Sequence, residues 1–123
     1  MLRLENITKD YKVADTTVAA LRGIDLAFRK NEFVSVLGPS GCGKTTTLRM
    51  IAGFETPSSG QILVDGVDIT NVPANERGLG FVFQNYALFP HMSVFDNIAF
   101  GPRTAGIKEK EVGKMVEEML SII

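Results

Sequence analysis

One run of eight residues combines glycines, a lysine and a hydroxyl group in a spacing that binds phosphate. The run Gly38-Pro39-Ser40-Gly41-Cys42-Gly43-Lys44-Thr45 fits the pattern G-x-x-x-x-G-K-[ST] at every defined position. Glycines let the backbone curl until successive N–H groups point at phosphate oxygens, and Lys44 adds a mobile cation. The Thr45 hydroxyl is a suitable Mg²⁺ ligand. The spacing therefore predicts a site for ATP and Mg²⁺, and its residues are Gly38, Pro39, Ser40, Gly41, Cys42, Gly43, Lys44, Thr45 and Thr46.

The elements on either side of this loop have the pattern that such a site needs. The stretch Phe33–Leu37 is rich in β-branched and aromatic residues, which predicts a buried strand. From Lys44 the apolar residues fall at helical spacing until Gly53 ends the helix. A helix N-terminus carries about half a positive charge, which favours bound phosphate. A Gly/Ser turn before a helix is the alternative, but a chance match in a chain this long has odds on the order of a few in a thousand.

The rest of the chain predicts β structure first and helices later. Strands are expected from Leu2 and over 18–28, with a turn near Asp15 between them. The stretch 61–69 reads as a hairpin because Asp65-Gly66 suits a tight turn. A short buried strand is expected at 80–83.

Two helices are expected towards the end of the chain. Ser93 is the predicted cap of a short helix, and 108–123 is predicted to form an amphipathic helix. That helix ends without a cap or a polar tail, and its apolar face needs something to pack on. The chain is therefore expected to be part of a longer protein. The run Lys108-Glu109-Lys110-Glu111 is expected to be the solvated start of this last helix.

Composition excludes several classes of function. The chain has 123 residues, 45% of them hydrophobic, and a net charge of −1. A nucleic acid is not expected as a partner, because such proteins carry a basic excess. No apolar run approaches the roughly 18 residues that span a bilayer, and the polar start is not a signal peptide. One cysteine cannot form an internal disulfide, and one histidine cannot build a metal cluster. A cytosolic protein that reaches the membrane only through another protein is expected.

Two segments resemble the ATPase subunits of ABC transporters. Leu37–Gly53 is similar to the Walker A segment of that family almost letter for letter, and Gly80–Val94 resembles its Q-loop and the segment behind it. The similarity extends over the whole chain. It implies an α/β fold of the ABC ATPase type, with an incomplete P-loop NTPase core and an antiparallel β subdomain. Within the family the chain looks most like importer subunits that serve polyamines, ferric iron, sulfate or sugars.

The resemblance also implies roles for single residues. Lys44 and Gln84 match the catalytic positions of the phosphate loop and Q-loop, and Gln84 together with Thr45 would contact Mg²⁺. Tyr11 matches the aromatic residue that stacks on adenine, and an aromatic ring can contribute about 1–3 kcal/mol by stacking. Tyr86, Leu88 and Phe89 match an apolar cluster that receives the coupling helix of transmembrane permease subunits. A second ATPase subunit would complete a dimer at the cytoplasmic face of the inner membrane.

Other features of the sequence limit this interpretation. Ile62-Leu63-Val64-Asp65 imitates a Walker B strand but reads better as the hairpin, and His91 is expected to lie at a surface or helix entry. The signature Leu-Ser-Gly-Gly-Gln, a Walker B aspartate, the glutamate after it and a switch histidine do not occur within these 123 residues. These residues alone are therefore expected to bind Mg-ATP without hydrolysing it. A non-transport ABC ATPase and a stand-alone nucleotide-binding module are the alternatives, whereas the lack of Asn-Lys-x-Asp disfavours a GTPase.

Overall fold

Two long antiparallel strands open the chain. In the computed structural model, which describes all residues 1–123, β1 is Leu2–Val13 and β2 is Thr16–Phe28. They are joined at a turn in which Ala14 has φ +53°. Their register slips at three places, and one slip leaves Ala20 as an extra residue between the pairs Lys9–Leu21 and Asp10–Ala19. Such a β-bulge bends the strand locally. The two predicted strands are confirmed.

A hairpin completes the sheet on the other side of β1. Strand β3 (Ser59–Val64) pairs with β1, and the short β4 (Val67–Asp68) pairs with β3. All pairs are antiparallel, and the strand order is β2-β1-β3-β4. The turn residues Asp65 and Gly66 have φ +48° and +81°, as a type I′ turn requires. The predicted hairpin is confirmed, so Asp65 is a turn residue.

The first helix packs its apolar face on this sheet. Helix α1 is Lys44–Ala52, and Gly53 ends it with φ +86°, as predicted. A single 3₁₀ turn, Ala74–Glu76, follows the hairpin. The core of this part of the chain joins helix, hairpin and first strands through fully buried apolar side chains, namely Leu4, Ile7, Leu21, Met50 and Ile62.

The prediction of buried strands at 33–37 and 80–83 is wrong. Neither stretch belongs to the sheet, and the side chains of Phe33 and Leu37 are 96% and 90% exposed. A run of β-branched and aromatic residues becomes a buried strand only where neighbouring strands pair with it and cover its faces. The four strands of this chain pair with one another instead.

The chain divides into two compact units, Met1–Phe81 and Val82–Ile123, and the second is helical. It contains α2 (Val94–Thr104) and α3 (Glu109–Leu120), which meet through the buried Ala99, Val112 and Val116. The helix from 108 is confirmed with slightly shorter bounds, because Lys108 is its N-cap and the last three residues lie outside it. The other apolar residues of the helix, Met115, Met119 and Leu120, are exposed, as is Ile123 after its end.

Hydrogen bonds and ion pairs fix the two ends of α2. Ser93 caps it as predicted, since its hydroxyl accepts from the Asp96 N–H at 3.0 Å. Arg103 donates to Asp96 at 2.8 Å and pairs with Glu109 at the start of α3. Glu109 is therefore an ion-pair partner of Arg103 and not only a solvated residue at the start of α3.

Candidate phosphate-binding site

The loop before α1 depends on glycine at three positions. Gly41 and Gly43 have φ +80° and +90°, a region that side chains make unfavourable. At Gly38 a Cβ would stand 2.7 Å from the Cys42 Sγ. The loop closes with a hydrogen bond from the Cys42 N–H to the Pro39 carbonyl at 3.4 Å. The pattern of glycines in the sequence therefore corresponds to real constraints on the backbone.

Lys44 lies across the loop. Its ammonium donates to the carbonyl oxygens of Gly38 at 2.6 Å and Pro39 at 2.7 Å, and lies 3.4 Å from the Cys42 Sγ. These contacts hold a positive charge at the centre of the loop without an acidic partner. An anion that approaches the loop therefore meets a cation that no carboxylate neutralises.

The start of α1 supplies hydrogen-bond donors beside this cation. The N-terminal N–H groups of a helix have no intrahelical partner, and Gly43 provides no side-chain cap. The Thr47 N–H and hydroxyl both donate to the Gly43 carbonyl at 2.9 Å, whereas the N–H groups of Thr45 and Thr46 belong to the first turn and have no intrahelical acceptor. No acidic residue lies in the first turn. The helix end is therefore ready to accept an anion.

A cavity of about 440 Å³ opens over these groups. The bulge residue of β2 and the loop together form its wall, which consists of Ala20, Ser40, Gly41, Gly43, Lys44, Thr45 and Thr46. The first strands and the loop are thus brought together, because Gly43 lies directly against Ala20 and Leu21. Six of the nine predicted nucleotide-binding loop residues line this cavity. Gly38 and Pro39 instead hold Lys44, and Cys42 lies beside it.

Tyr11 lies on β1 opposite Val18 and is 36% exposed. It is absent from the wall of the phosphate cavity. Lys9 lies 5.1 Å from its ring centroid, and Tyr11 contributes, after Lys9, to the lowered pKa of Glu55, which follows α1. Its stacking role stays a prediction.

The remaining predicted site residues lie in the second unit. Gln84 and Tyr86 are exposed in a turn at 84–87, and Leu88, just after the turn, is exposed as well. Phe89 differs, because its ring packs on Phe100 with centroids 4.6 Å apart. Tyr86 and Leu88 are thus more exposed than Phe89, and their role in receiving a coupling helix stays a prediction. His91 is exposed next to Phe89 at 6.1 Å, which agrees with a surface position.

Asn97 fixes the segment that follows Gln84. Its side chain accepts from the Phe89 N–H at 2.9 Å and donates to the carbonyls of Phe89, Met92 and Ser93. An asparagine in the first turns of α2 gave no sign of this in the sequence. Its contacts depend on how the preceding loop turns back on the helix.

Arg77 is a second residue whose importance the sequence does not reveal. Its guanidinium donates to the carbonyls of Met50 at 2.7 Å and Ile51 at 2.9 Å, at the C-terminal end of α1. It also bonds to the carbonyls of Val72 and Thr70. A cation is favoured at a helix C-terminus, and partial burial lowers the Arg77 pKa. Arg77 thus anchors the helix whose other end forms the phosphate site.

Two further observations limit the chemistry of the chain. No group of three or more His, Cys, Asp or Glu side chains is placed to hold a metal ion. Among the helices, none combines the length and the apolar character that crossing a bilayer requires.

Comparison with known proteins identifies the family of the chain. The family model described as ABC transporter matches residues 21–122. The chain is similar to the spermidine/putrescine import ATP-binding proteins PotA of Protochlamydia amoebophila (55% identity, 97% of this chain, 31% of the relative) and Thermobifida fusca (50%, 99%, 32%). It is also similar to the Fe(3+) ions import ATP-binding protein FbpC of Brucella suis (49%, 97%, 33%). It therefore spans about a third of the length of these relatives.

A solved structure gives the same result for the fold. The dimeric structure of a post-hydrolysis state of the ATP-binding cassette MJ0796, bound to ADP and Pi, matches with a TM-score of 0.87 and 30% identity. The match covers 98% of this chain and 56% of that one. The predicted ABC ATPase fold is thereby confirmed, and with the family match over residues 21–122 it follows that the chain belongs to the ABC transporter family.

Proposed function

We propose that residues 38–46 bind the phosphates of Mg-ATP, and that the chain is part of the ATP-binding subunit of an ABC importer. The observation that carries this proposal is the position of the Lys44 ammonium, held by two loop carbonyls beside the uncapped start of α1. A cation and free N–H groups that converge on one cavity form an anion site. The family match and the names of the similar proteins support ATP as the anion.

The loop residues also fit a magnesium ion that arrives with the nucleotide. Mg²⁺ prefers oxygen ligands and is usually held by substrate phosphates with only one or two protein groups. The Thr45 hydroxyl lines the cavity next to Lys44 and makes no hydrogen bond within the chain, unlike that of Thr47. Bound Mg²⁺ would neutralise phosphate charge, and Gln84 is proposed as its second protein ligand.

The residues of the chain have separate tasks in this proposal. The glycines bring backbone N–H groups close to the phosphates, and Lys44 transfers its hydrogen bonds from loop carbonyls to phosphate oxygens. Tyr11 stacks on the base, and Gln84 orients the attacking water or contacts Mg²⁺. Lys44 and Gln84 are the proposed catalytic residues.

Titration calorimetry with Mg-ATP tests the binding proposal. The unchanged chain should bind Mg-ATP. Lys44→Ala should weaken binding by at least tenfold, which corresponds to about 1.4 kcal/mol of binding free energy. Lys110→Ala, on an exposed face of α3, is the matched control. Ligand at a hundredfold over its dissociation constant should also add about 2.7 kcal/mol of stability. Equal affinities of the unchanged chain and Lys44→Ala would overturn the proposal.

The whole protein is proposed to act at the cytoplasmic face of the membrane, with permease subunits and a second ATPase subunit. Spermidine, putrescine and ferric iron are the candidate solutes, because the similar proteins carry those names. Tyr86 and Leu88 are exposed and offer apolar surface for a permease helix, and the partly buried Phe89 is the third proposed contact. Uptake of each labelled solute into cells that lack the gene tests this. We expect cells that lack the gene to lose uptake of one of these solutes. The intact gene should restore that uptake, and its Lys44→Ala form should not. Unchanged uptake of all three solutes in cells that lack the gene would exclude them.

A further inference from the structure

Two charged residues outside the phosphate loop hold the side chain of Tyr11. The Lys9 Nζ lies over the ring, 5.1 Å from its centroid, which is within the range of a cation–π interaction. Tyr11 also contributes, after Lys9, to the lowered pKa of the Glu55 carboxyl. The Lys9 ammonium is thus in direct contact with the face of the ring.

Lys9 and Glu55 also hold each other. The Lys9 Nζ lies 2.6 Å from the Glu55 Oε1 and donates to the Thr56 carbonyl at 2.7 Å. Their side chains are only 13% and 25% exposed. Pairs on an open surface contribute little because long side chains must be ordered and salt screens them. This pair is largely covered, so its geometry is more restricted.

The pair joins the strand that carries Tyr11 to the helix that begins at the phosphate loop. Glu55 follows Gly53, the residue that ends α1, and Lys9 lies two residues before Tyr11 on β1. The phosphate loop and the aromatic ring are therefore connected through α1 and one ion pair. Neither Lys9 nor Glu55 belongs to the phosphate loop.

We propose that Lys9 and Glu55 are positioning residues that hold the Tyr11 ring ready to stack on the base of the nucleotide. The proposal rests on the function proposed above. Lys9 lies over one face of the ring, and Tyr11 is 36% exposed, so part of the residue is accessible to a planar base. A side chain that is ordered before binding loses less entropy when the ligand arrives, and this raises affinity.

The experiment compares a ligand with a base and one without it. Calorimetry measures the binding of Mg-ATP and of magnesium tripolyphosphate to each variant. Lys9→Met and Glu55→Gln should each weaken ATP binding about 3- to 10-fold while tripolyphosphate affinity stays within about twofold. Lys9→Arg, which keeps the charge, should retain most of the ATP affinity. Lys110→Met removes a positive charge from an exposed position on α3 and should change the affinity for neither ligand.

A double-mutant cycle distinguishes positioning from a direct contact. If Lys9 acts through the ring, Lys9→Met should have no further effect on ATP affinity in a chain that already carries Tyr11→Ala. An undiminished effect in that background would overturn the proposal. Equal weakening of ATP and tripolyphosphate would overturn it as well, because a loss of general structure affects both ligands.

Fluorescence gives a readout besides affinity. The sequence has no tryptophan, so Tyr11→Trp introduces a single reporter at the stacking position. Mg-ATP should quench it and tripolyphosphate should not, and adding Lys9→Met should move the midpoint to higher ATP concentration. An unmoved midpoint would count against the proposal.

The outcomes for the two proposals are separable. If Lys44→Ala weakens ATP but Lys9→Met and Glu55→Gln do not, only the positioning proposal fails. If Lys44→Ala leaves ATP binding unchanged, the phosphate site itself is wrong. Should Lys9→Met not fold, Glu55→Gln and Lys9→Arg still decide the question.

Discussion

A Cβ atom built on Gly43 would stand 2.6 Å from the Cδ2 of Leu21, so the phosphate loop rests directly on the second strand. Leu21 is buried in the core, and the bulge at Ala20 presents a backbone carbonyl 3.2 Å from the same point. Gly43 has φ +90°. The position therefore excludes a side chain for two reasons, its backbone conformation and its neighbours.

Gly43→Ala should destabilise the chain more than Gly41→Ala. Both glycines have positive φ, so each substitution should cost about 1–2 kcal/mol in backbone strain. Only Gly43 has a close neighbour, since nothing lies within 4 Å of a Cβ on Gly41, and overpacking should add about 1–3 kcal/mol. Denaturant unfolding of both variants measures the difference. Equal losses would show that Leu21 moves aside freely.

The thiol of Cys42 should report on occupancy of the loop. It is exposed, lies 3.4 Å from the Lys44 Nζ and is the chain's one cysteine. We expect a bulky maleimide on Cys42 to block ATP, saturating Mg-ATP to slow alkylation, and Cys42→Ser to bind ATP normally. Mass spectrometry of timed samples measures the rate. A rate unaffected by saturating Mg-ATP would contradict a nucleotide at this loop.

Arg77→Met should unfold α1 more readily. The substitution removes a cation from four carbonyls, two of them at the end of α1. Hydrogen bonds to charged groups contribute about 1.5–3 kcal/mol each and are not additive, so a loss of at least about 2 kcal/mol is expected. Arg77→Lys should not restore it, because an ammonium lacks the planar fork. Arg29→Met, whose side chain is 85% exposed, is the control, and an equal effect there would refute the anchoring role.

The Glu55 carboxylate should make stability depend on acid pH. Its hydrogen bond with Lys9 lowers the Glu55 pKa below the ordinary value of 4.5. A carboxyl whose pKa is lowered by folding stabilises the native state above its unfolded pKa, and this contribution is lost as pH falls through the folded value. The free energy of unfolding of the unchanged chain should therefore exceed that of Glu55→Gln at pH 7, and the two should converge below pH 4.5.

Denaturant unfolding at pH 7 and at acid pH measures this convergence. Glu117→Gln, on an exposed position of α3, serves as the matched control and should follow the unchanged chain at both values. If the free energies of unfolding of the unchanged chain and of Glu55→Gln differed by the same amount at both pH values, the ion pair would be too weakly formed to affect folding.

These 123 residues by themselves should not hydrolyse ATP at an enzymatic rate. The wall of the phosphate cavity contains no Asp or Glu to orient water, and loss of one charge-stabilising group can cost 10³- to 10⁵-fold in phosphoryl transfer. Binding that is equal in ground and transition states gives affinity without turnover. Phosphate release by the purified chain measures the rate of ATP hydrolysis, and the Lys44→Ala variant is the control for contaminating ATPases. Lys44-dependent turnover of about 1 s⁻¹ would identify an unrecognised carboxylate, and Asp65 and Asp96 would be tested first.

The sequence alone determined the elements whose signals are local. The Asp65-Gly66 turn, the Ser93 cap and the end of α1 at Gly53 were predictable because each depends on one or two residues with a strong conformational preference. The phosphate loop was predictable for the same reason, since its glycines, Lys44 and Thr45 act through backbone conformation and fixed spacing.

Tertiary structure decided everything that depends on which segments become neighbours. Apolar residues at 33–37 form no strand because no other segment pairs with them, and a periodic pattern cannot reveal that. The Gly43–Leu21 contact, the Arg77 anchor and the Lys9–Tyr11–Glu55 cluster join residues that are far apart in the chain. Their energies come from packing and charge at short distance, which the order of residues along the chain does not specify.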